Sequence, residues 1–425
     1  EEAFNELPQE LQGETTEGII EKMKGRRENL VDIVSRYYDE LAETAIITGT
    51  DKDDIIDITR LEDGRTEVKI SRNKDGERGE VVNQRIYELE ETEEIWVYGL
   101  DDDDEFHVEG KNSSKTIVKI IGGQNNDIYN ISEGRRVQVY DHRTKPNTIE
   151  RNNGAKIFLT DNYEVNTFDR DFKIIETNSI LPYLGFNPDD GIILGAKAAF
   201  TDIELVRKPF SSRHSFGASY FFGTQGFDVE YTGEFAHAER THNLLVGAYY
   251  SSARNTSNFF GVGNETTYDP DEVSKDYNRI RISSYGAELG LVRRGKYGST
   301  FKYSALFEGV KVEDTPGRFI TDVFPGDTYF FDRMFYAGLE GSYSYESADN
   351  SLNPVKGLQF YLTAGGKMNV EETDKAFIYV KPYLEFFTPI SRDQRLVLNP
   401  RLKGQDKFQD GFEFFQAATL GGKSG

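Results

Sequence analysis

The stretch Gly226–Ala236 reads GFDVEYTGEFA, and apolar side chains stand at alternate positions along most of it. The apolar positions are Phe227, Val229, Tyr231 and Phe235, and the residues between them include Asp228, Glu230, Thr232 and Glu234. Because successive side chains of a β-strand point to opposite sides of the sheet, one side of this strand is apolar and the other is charged. That division is typical of a strand that separates lipid from a polar interior.

The same alternation recurs in runs of about 10–15 residues from residue 190 onward. A soluble β-sandwich also alternates, but its strands usually have about 5–6 residues, whereas a tilted strand needs about 9–11 residues to cross a bilayer. Short connections such as Thr224-Gln225 alternate with long ones such as Lys311–Asp332, which suggests short turns at one end and long loops at the other. We therefore predict an incomplete antiparallel transmembrane β-barrel over residues 183–425. The alternatives are a large soluble sandwich and an internally polar lipid-binding barrel. The predicted lipid-facing side chains are Phe227, Val229, Tyr231, Phe235, Leu358, Phe360 and Leu362.

The charge of the chain excludes one class of partner. The 425 residues include 73 acidic and 50 basic side chains, a net charge of -23. Such a surface repels phosphate backbones, so we predict no nucleic-acid binding. The sequence has no cysteine, which excludes disulfides, thiolate metal sites and a thiol nucleophile. Residues 1–182 carry 42 acidic and 24 basic side chains, against 31 and 26 in residues 183–425, so the excess negative charge lies mainly in the first part.

The spacing of apolar residues divides residues 1–182 into two segments. Apolar residues recur at nearly helical spacing from Ile19 to Leu41 and predict an amphipathic helix of about 25 residues, bent near Gly25, within a helical segment 1–45. Residues 46–182 instead contain short β-branched and aromatic runs between polar turns and predict an acidic, soluble all-β domain. The predicted strands are Ile55–Thr59, Thr66–Ser71, Ile95–Tyr98, Ile117–Ile121, Val137–Tyr140, Lys156–Leu159 and Lys173–Ile175.

The segment Gly122–Tyr129 reads GGQNNDIY and resembles the calcium-binding nonapeptide of β-rolls. Its candidate calcium ligands are Gly123, Asn125 and Asp127, because carbonyl and carboxylate oxygens suit calcium. A β-roll site needs stacked copies of the nonapeptide. We identify one good copy, with weaker copies at Asp101–Phe106 and Asp161–Val165. The favoured interpretation is a structural glycine turn that Asp127 caps, and calcium binding is the alternative.

Several short segments of the second part resemble the BamA/TamA-type outer-membrane assembly and translocation barrels of the bacterial surface antigen superfamily. They are Asn187–Gly191, Asn258–Glu265, Asn353-Pro354 followed by Gly357, and Phe414-Phe415 running into Leu420–Gly425. The resemblance implies a Gram-negative outer-membrane protein that inserts or passes polypeptide or lipid, with about eleven of the family's sixteen strands present here. It also implies contact with outer-membrane lipid and with other outer-membrane or periplasmic assembly proteins, and a periplasmic acidic half.

The acidic half is similar to segments that precede some surface-antigen barrels downstream of a metallophosphoesterase domain. Those enzymes bind two metal ions through Asp-x-His and Gly-Asn-His clusters, which this sequence lacks. Nucleotide-binding and serine-hydrolase motifs are also absent from it. We therefore predict no enzymatic activity and no cofactor for this chain. Two alternatives remain: an anchor barrel for a fused metallophosphoesterase, and a calcium-dependent binding module.

Overall fold

The computed structural model divides into two compact units, Glu1–Ile174 and Ile175–Gly425, and each is described here by itself. The predicted fold class is confirmed: the chain is mainly β, with N-terminal helices, an all-β region and a large antiparallel sheet. The structure describes residues 4, 6, 8, 13–110, 115–170, 177–205, 210–236, 241–261, 271, 273–274, 276–324, 328–350, 352–409 and 411–417. The predicted strand Lys173–Ile175 and the segment Leu420–Gly425 lie outside the described residues.

The N-terminal segment forms two helices, α1 (Glu14–Glu28) and α2 (Leu30–Ala42), rather than the single helix predicted. The break falls at Asn29 and not near Gly25. The Asn29 side-chain amide donates to the Gly25 carbonyl oxygen over 2.9 Å, and this local bond competes with continuation of the helix. None of the helices among the described residues is long and apolar enough to span a membrane.

The strands of the first unit wind between two sheets. Their bounds are β1 (Thr44–Thr48), β2 (Asp54–Arg60), β3 (Thr66–Lys74), β4 (Glu77–Tyr87), β5 (Glu94–Leu100), β6 (Glu105–Gly110), β7 (Ile117–Gly123), β8 (Ile128–Ile131), β9 (Val137–Asp141), β10 (Thr148–Asn152) and β11 (Lys156–Leu159). One sheet has the order β1-β5-β7-β9-β11, and the other has the order β10-β8-β6-β2-β3-β4. Apart from the antiparallel strands β3 and β4, neighbouring strands are parallel, so each circuit of the chain adds one strand to each sheet. The first unit is therefore a two-sheet solenoid.

Isoleucine, valine and aromatic side chains fill the space between the two sheets. They include Ile56, Ile58, Ile95, Phe106 and Tyr129, all of which are buried. A short helix, α3 (Tyr163–Asn166), follows β11, and Asn162 caps it by accepting a hydrogen bond from the Glu164 amide.

The second unit is one antiparallel sheet of thirteen strands. Their bounds are β12 (Thr177–Asn187), β13 (Gly191–Asp202), β14 (Ser212–Phe221), β15 (Gly226–Phe235), β16 (Asn243–Asn258), β17 (Arg279–Arg294), β18 (Ser299–Val312), β19 (Met334–Glu346), β20 (Gly357–Asn369), β21 (Ala376–Pro389), β22 (Val397–Leu398), β23 (Arg401–Lys403) and β24 (Asp406–Phe408). Strands β12 to β22 follow one another in chain order, and β23 and β24 also pair with β21. Two short helices, α4 (Phe319–Val323) and α5 (Thr328–Phe331), lie between β18 and β19.

Three sequence expectations for this unit need correction. The unit begins before residue 183, because β12 pairs with β13 along its whole length. The alternation pattern also predicts a last strand near residue 412, but the described part of that segment has none, and Phe414–Gln416 forms a 3-10 turn there. The expected division of short and long connections between the two ends is also wrong. Thr224-Gln225 lies at the same end of the antiparallel sheet as the long connections 259–278 and 313–333.

Candidate membrane surface and polar face

The pairing register places all seven predicted lipid-facing residues on one face of the sheet. One row of directly paired residues crosses six strands from Tyr231 of β15, and its further members are Ala248, Ala287, Phe307, Ala337 and Met368. Phe227, Val229 and Phe235 share this face with Tyr231, because they stand an even number of positions from it on the same strand. For the same reason Leu358, Phe360 and Leu362 share it with Met368.

This apolar face is exposed in the second unit. Val229 is 43% exposed, and on other strands Leu289 and Leu339 are 59% and 71% exposed. Phe227 and Leu362 are also exposed, whereas Tyr231, Phe235, Leu358 and Phe360 are half-buried among their neighbours. Val229 lies between Ala218 and Tyr250 on the adjacent strands, so apolar side chains continue across the sheet. An exposed apolar surface of this extent is typical of contact with lipid or protein.

The opposite face carries ion pairs and hydrogen bonds that join strands two apart. Lys367 of β20 lies 2.6 Å from Glu308 of β18, and the Tyr249 hydroxyl of β16 donates to the same carboxylate over 3.1 Å. The Tyr379 hydroxyl of β21 donates to Glu340 of β19 over 2.7 Å. Each named carboxylate therefore has a partner, as partly buried charges require. We call this surface the polar face.

The sheet curls so that the polar face is concave. In a flat sheet, β17 and β21 would be four strand spacings apart, which is a distance of about 19 Å. Nevertheless Ser284 of β17 and Tyr379 of β21 line a single cavity of about 280 Å³ on the polar face. At one end of the sheet, Asp189 in the turn after β12 forms an ion pair with Arg279 at the start of β17. The apolar face is consequently the convex one, as in a barrel wall.

An aromatic cluster lies where the long connections meet the C-terminal described segment. The Phe414 ring centroid lies 4.6 Å from that of Phe259 and 5.5 Å from that of Phe330. Phe415 beside it lines the 280 Å³ cavity. The contact joins two of the segments that carry the family resemblance, although the positions 262–265 of the first and Leu420–Gly425 of the second lie outside the described residues. No local signal in the sequence predicts this meeting, because it depends on long-range packing.

Of the predicted calcium ligands, Gly123 is the last residue of β7, and Asn125 and Asp127 lie in the turn between β7 and β8. The Asn125 side-chain amide donates to Asp101 over 3.3 Å, and one carboxylate oxygen of Asp127 accepts the Asp104 backbone N–H over 3.0 Å. Gly123 has a φ of 129°, which favours glycine. Within the described part of the chain, no group of three or more histidine, aspartate or glutamate side chains is arranged to hold a metal ion.

Among the described residues the turn is one of three stacked copies: the expected weaker copy at Asp101–Phe106 is confirmed, and the copy that ends at Asp54 is additional to those expected. Each copy has a glycine followed five residues later by an aspartate: Gly49 and Asp54, Gly99 and Asp104, Gly122 and Asp127. The Asp54 N–H donates to Asp104 over 2.8 Å, and the Asp127 N–H donates to the Asn147 side chain over 2.9 Å. We call this series the aspartate ladder. The expected weaker copy at Asp161–Val165 does not belong to the aspartate ladder, since Val165 lies in α3.

Burial raises the pKa values of two ladder carboxyls. The pKa of Asp104 is raised to about 9 and that of Asp127 to about 8, chiefly by burial and secondarily by neighbouring carboxylates. Asp141 lies beside Asp127 and accepts a hydrogen bond from the buried Tyr129 hydroxyl over 2.7 Å. Without a bound cation, the two ladder carboxyls therefore hold their protons at neutral pH. The arrangement suits carboxyl groups that cap the backbone N–H groups of the neighbouring turn.

Replacement of Gly122 by alanine is expected to destabilise the first unit by about 1–3 kcal/mol, because an added methyl group would overlap the buried Asp127 carboxyl and the Tyr129 hydroxyl. Fluorescence of Trp96, which is the single tryptophan and is fully buried in this unit, reports its unfolding in urea. Gly18→Ala is the control, since open space surrounds that position. An unchanged midpoint for Gly122→Ala would contradict the close stacking of the turns.

The comparisons with known proteins find likeness among solved structures but none among family models or curated sequences. No protein-family model matches the sequence, and no curated protein matches it. Among solved structures, the crystal structure of BamA from Haemophilus ducreyi lacking POTRA domains 1–3 resembles the chain with a TM-score of 0.43 and 15% sequence identity. The match covers 58% of this chain and 45% of that one, so the chain spans less than half of the solved structure's length.

Proposed function

We propose that the second unit forms the wall of an outer-membrane β-barrel in a Gram-negative bacterium. We further propose that the protein belongs to the assembly and translocation class, which inserts or passes polypeptide or lipid. The observation that carries the membrane placement is the continuous apolar convex face described above. The proposal assigns the chain no covalent chemistry of its own.

Strand length and exposure support this placement over a soluble sandwich. Strands β12 to β21 have 10–16 residues, which is enough for a tilted strand to cross the hydrocarbon layer. A sandwich would cover the apolar face with a second sheet, but within the described residues of the second unit all the long strands belong to one sheet. Lipid is the partner that an apolar convex face of this kind fits.

The polar concave face supports a role in passage or insertion. Its charged side chains give a polar path behind the apolar wall, as transmembrane barrels require of their interior. Under this proposal the acidic first unit is periplasmic, and other outer-membrane or periplasmic assembly proteins are its partners.

The absence of cysteine allows a direct test of the membrane placement. The full chain is refolded into phosphatidylcholine vesicles with a fluorophore on a single introduced cysteine, at Val229→Cys or at the adjacent Glu230→Cys as the matched control. Lipids with brominated acyl chains are expected to quench the label at position 229 strongly and the label at position 230 weakly, because successive side chains face opposite sides. Equal quenching at the two positions would contradict the placement.

The assembly role has a separate readout in the same vesicles. An unfolded outer-membrane barrel protein is expected to insert faster into vesicles that contain the refolded chain than into protein-free vesicles. An unchanged insertion rate, together with quenching at position 229 alone, would reject the assembly role and leave the membrane placement intact.

A further inference from the structure

Three lysines converge on the cavity of about 280 Å³ on the concave polar face. They are Lys367 of β20, Lys381 of β21 and Lys407 of β24, and Glu308 is the one carboxylate among the residues that line the cavity. Lys367 and Lys381 come from adjacent strands, and Lys407 comes from a short strand that pairs with β21. The arrangement brings cationic groups from distant parts of the sequence to one place.

The lysines differ in how their charges are balanced. Lys367 lies 2.6 Å from Glu308 and is neutralised by it. The Lys381 ammonium lies 4.7 Å from the Tyr379 ring centroid, and the Lys407 ammonium lies 5.2 Å from that of Phe377. Among the described residues no carboxylate forms an ion pair with Lys381 or Lys407. The aromatic rings orient these two ammonium groups but leave their charges in place.

A second observation points to the same kind of ligand. The side-chain nitrogen of Gln416, which also lines the cavity, is buried and has no hydrogen-bond partner among the described residues. The amide oxygen of that side chain accepts the Glu413 backbone N–H over 3.0 Å, so the nitrogen is the end left to donate. A buried donor without a partner costs free energy, and an acceptor in the cavity would recover it. In the described part of the chain, the groups at this cavity that lack a protein acceptor are therefore two cations and a neutral donor.

We propose that this cavity binds a phosphate group, with Lys381 and Lys407 balancing its charge and Gln416 donating a hydrogen bond. Two unbalanced ammonium groups match a phosphate that carries about two negative charges, and lysine is a common phosphate ligand. The cavity is near the lower limit of the roughly 300–1,000 Å³ of ordinary ligand pockets, so it fits free phosphate or a lipid headgroup rather than a whole lipid. This phosphate site goes beyond the proposed assembly and translocation role.

The test is calorimetric titration of the full chain, refolded in zwitterionic detergent, with three probes: inorganic phosphate, dihexanoyl phosphatidic acid and dihexanoyl phosphatidylcholine. We expect saturable binding of a phosphate monoester or inorganic phosphate and no binding of phosphatidylcholine. Binding of phosphatidic acid alone would identify a lipid headgroup as the ligand, and comparable binding of inorganic phosphate would identify free phosphate.

Substitutions then assign the site. Lys381→Met and Lys407→Met keep the apolar stems and are each expected to weaken phosphate binding at least about tenfold, whereas Lys381→Arg keeps the charge and is expected to retain binding within a few-fold. Lys197→Met is the matched control, because Lys197 is an exposed lysine of β13 that does not line the cavity. Failure of the wild-type chain to bind either phosphate probe, or unchanged binding by both methionine variants, would overturn the proposal.

Discussion

Arginine in place of Val229 is expected to destabilise the chain folded in a bilayer by about 2–4 kcal/mol, the cost of a cationic side chain on the lipid face near the bilayer midplane. Val229 lies near the middle of β15, is 43% exposed and is flanked by Ala218 and Tyr250 on the convex face. The guanidinium group would replace an aliphatic side chain in that apolar surface. Urea unfolding of the chain from phosphatidylcholine vesicles measures the change in the free energy of unfolding.

The neighbouring substitution Glu230→Arg is the matched control, because Glu230 lies on the polar face. Its one ion pair among the described residues is a 4.0 Å contact with Lys197, and both side chains are more than half exposed. Exposed pairs of this kind contribute about 0–1 kcal/mol, so the control is expected to cost less than about 1 kcal/mol. Similar losses in the free energy of unfolding at positions 229 and 230 would show that the two faces are not in different media, lipid on one side and water on the other.

The faces of the long strands could be predicted from the sequence because they follow from a local rule. Side chains alternate along any strand, so the apolar positions of Gly226–Phe235 and of Gly357–Asn369 identify one face without knowledge of the partner strands. The pairing register then aligns these faces across the sheet, as it does from Tyr231 to Met368. Whether the aligned face meets lipid stays a prediction.

The first strand of the sheet, β12, is harder to predict from the sequence, because a proline such as Pro182 usually marks the end of a strand. Proline donates no backbone hydrogen bond and is therefore rare inside central strands, but an edge strand tolerates it. In the structure β12 ends the strand order, and Pro182 pairs with Ala196 of β13. The sequence alone does not tell which strand will lie at an edge.

The aspartate ladder could be predicted only in part, because its copies are unevenly spaced. Asp104 and Asp127 are 23 residues apart, whereas the antiparallel strands β3 and β4 help to separate Asp54 from Asp104 by 50 residues. A search for a fixed repeat therefore misses the first copy. The glycine that precedes each aspartate by five residues is the signal that could have found it, since the close approach of neighbouring turns requires glycine there.

The first unit is expected to lose stability as pH rises from about 4 to about 9. The folded-state pKa values of Asp104 and Asp127, about 9 and about 8, lie above the ordinary value of 3.8. The folded unit therefore keeps protons that the unfolded chain releases. The stabilisation from each group is fully present below about pH 4, declines as pH rises above it, and is lost once pH exceeds the folded pKa.

Asp127→Asn is expected to reduce this pH dependence, because the asparagine amide does not titrate and its oxygen can still accept the Asp104 N–H. The amide nitrogen takes the place of the protonated oxygen, so the variant is expected to exceed the wild-type chain in stability near pH 7 and to lose that advantage towards pH 4. Urea unfolding monitored by Trp96 fluorescence at pH 5, 6 and 7 measures the slope, with the exposed Asp51→Asn as control. Because other carboxyl groups titrate in both states, the difference between variant and wild type is the decisive quantity. Parallel curves for Asp127→Asn and wild type would mean that Asp127 is ionised in the folded unit, and the calcium interpretation of the turn would then regain support over the capping one.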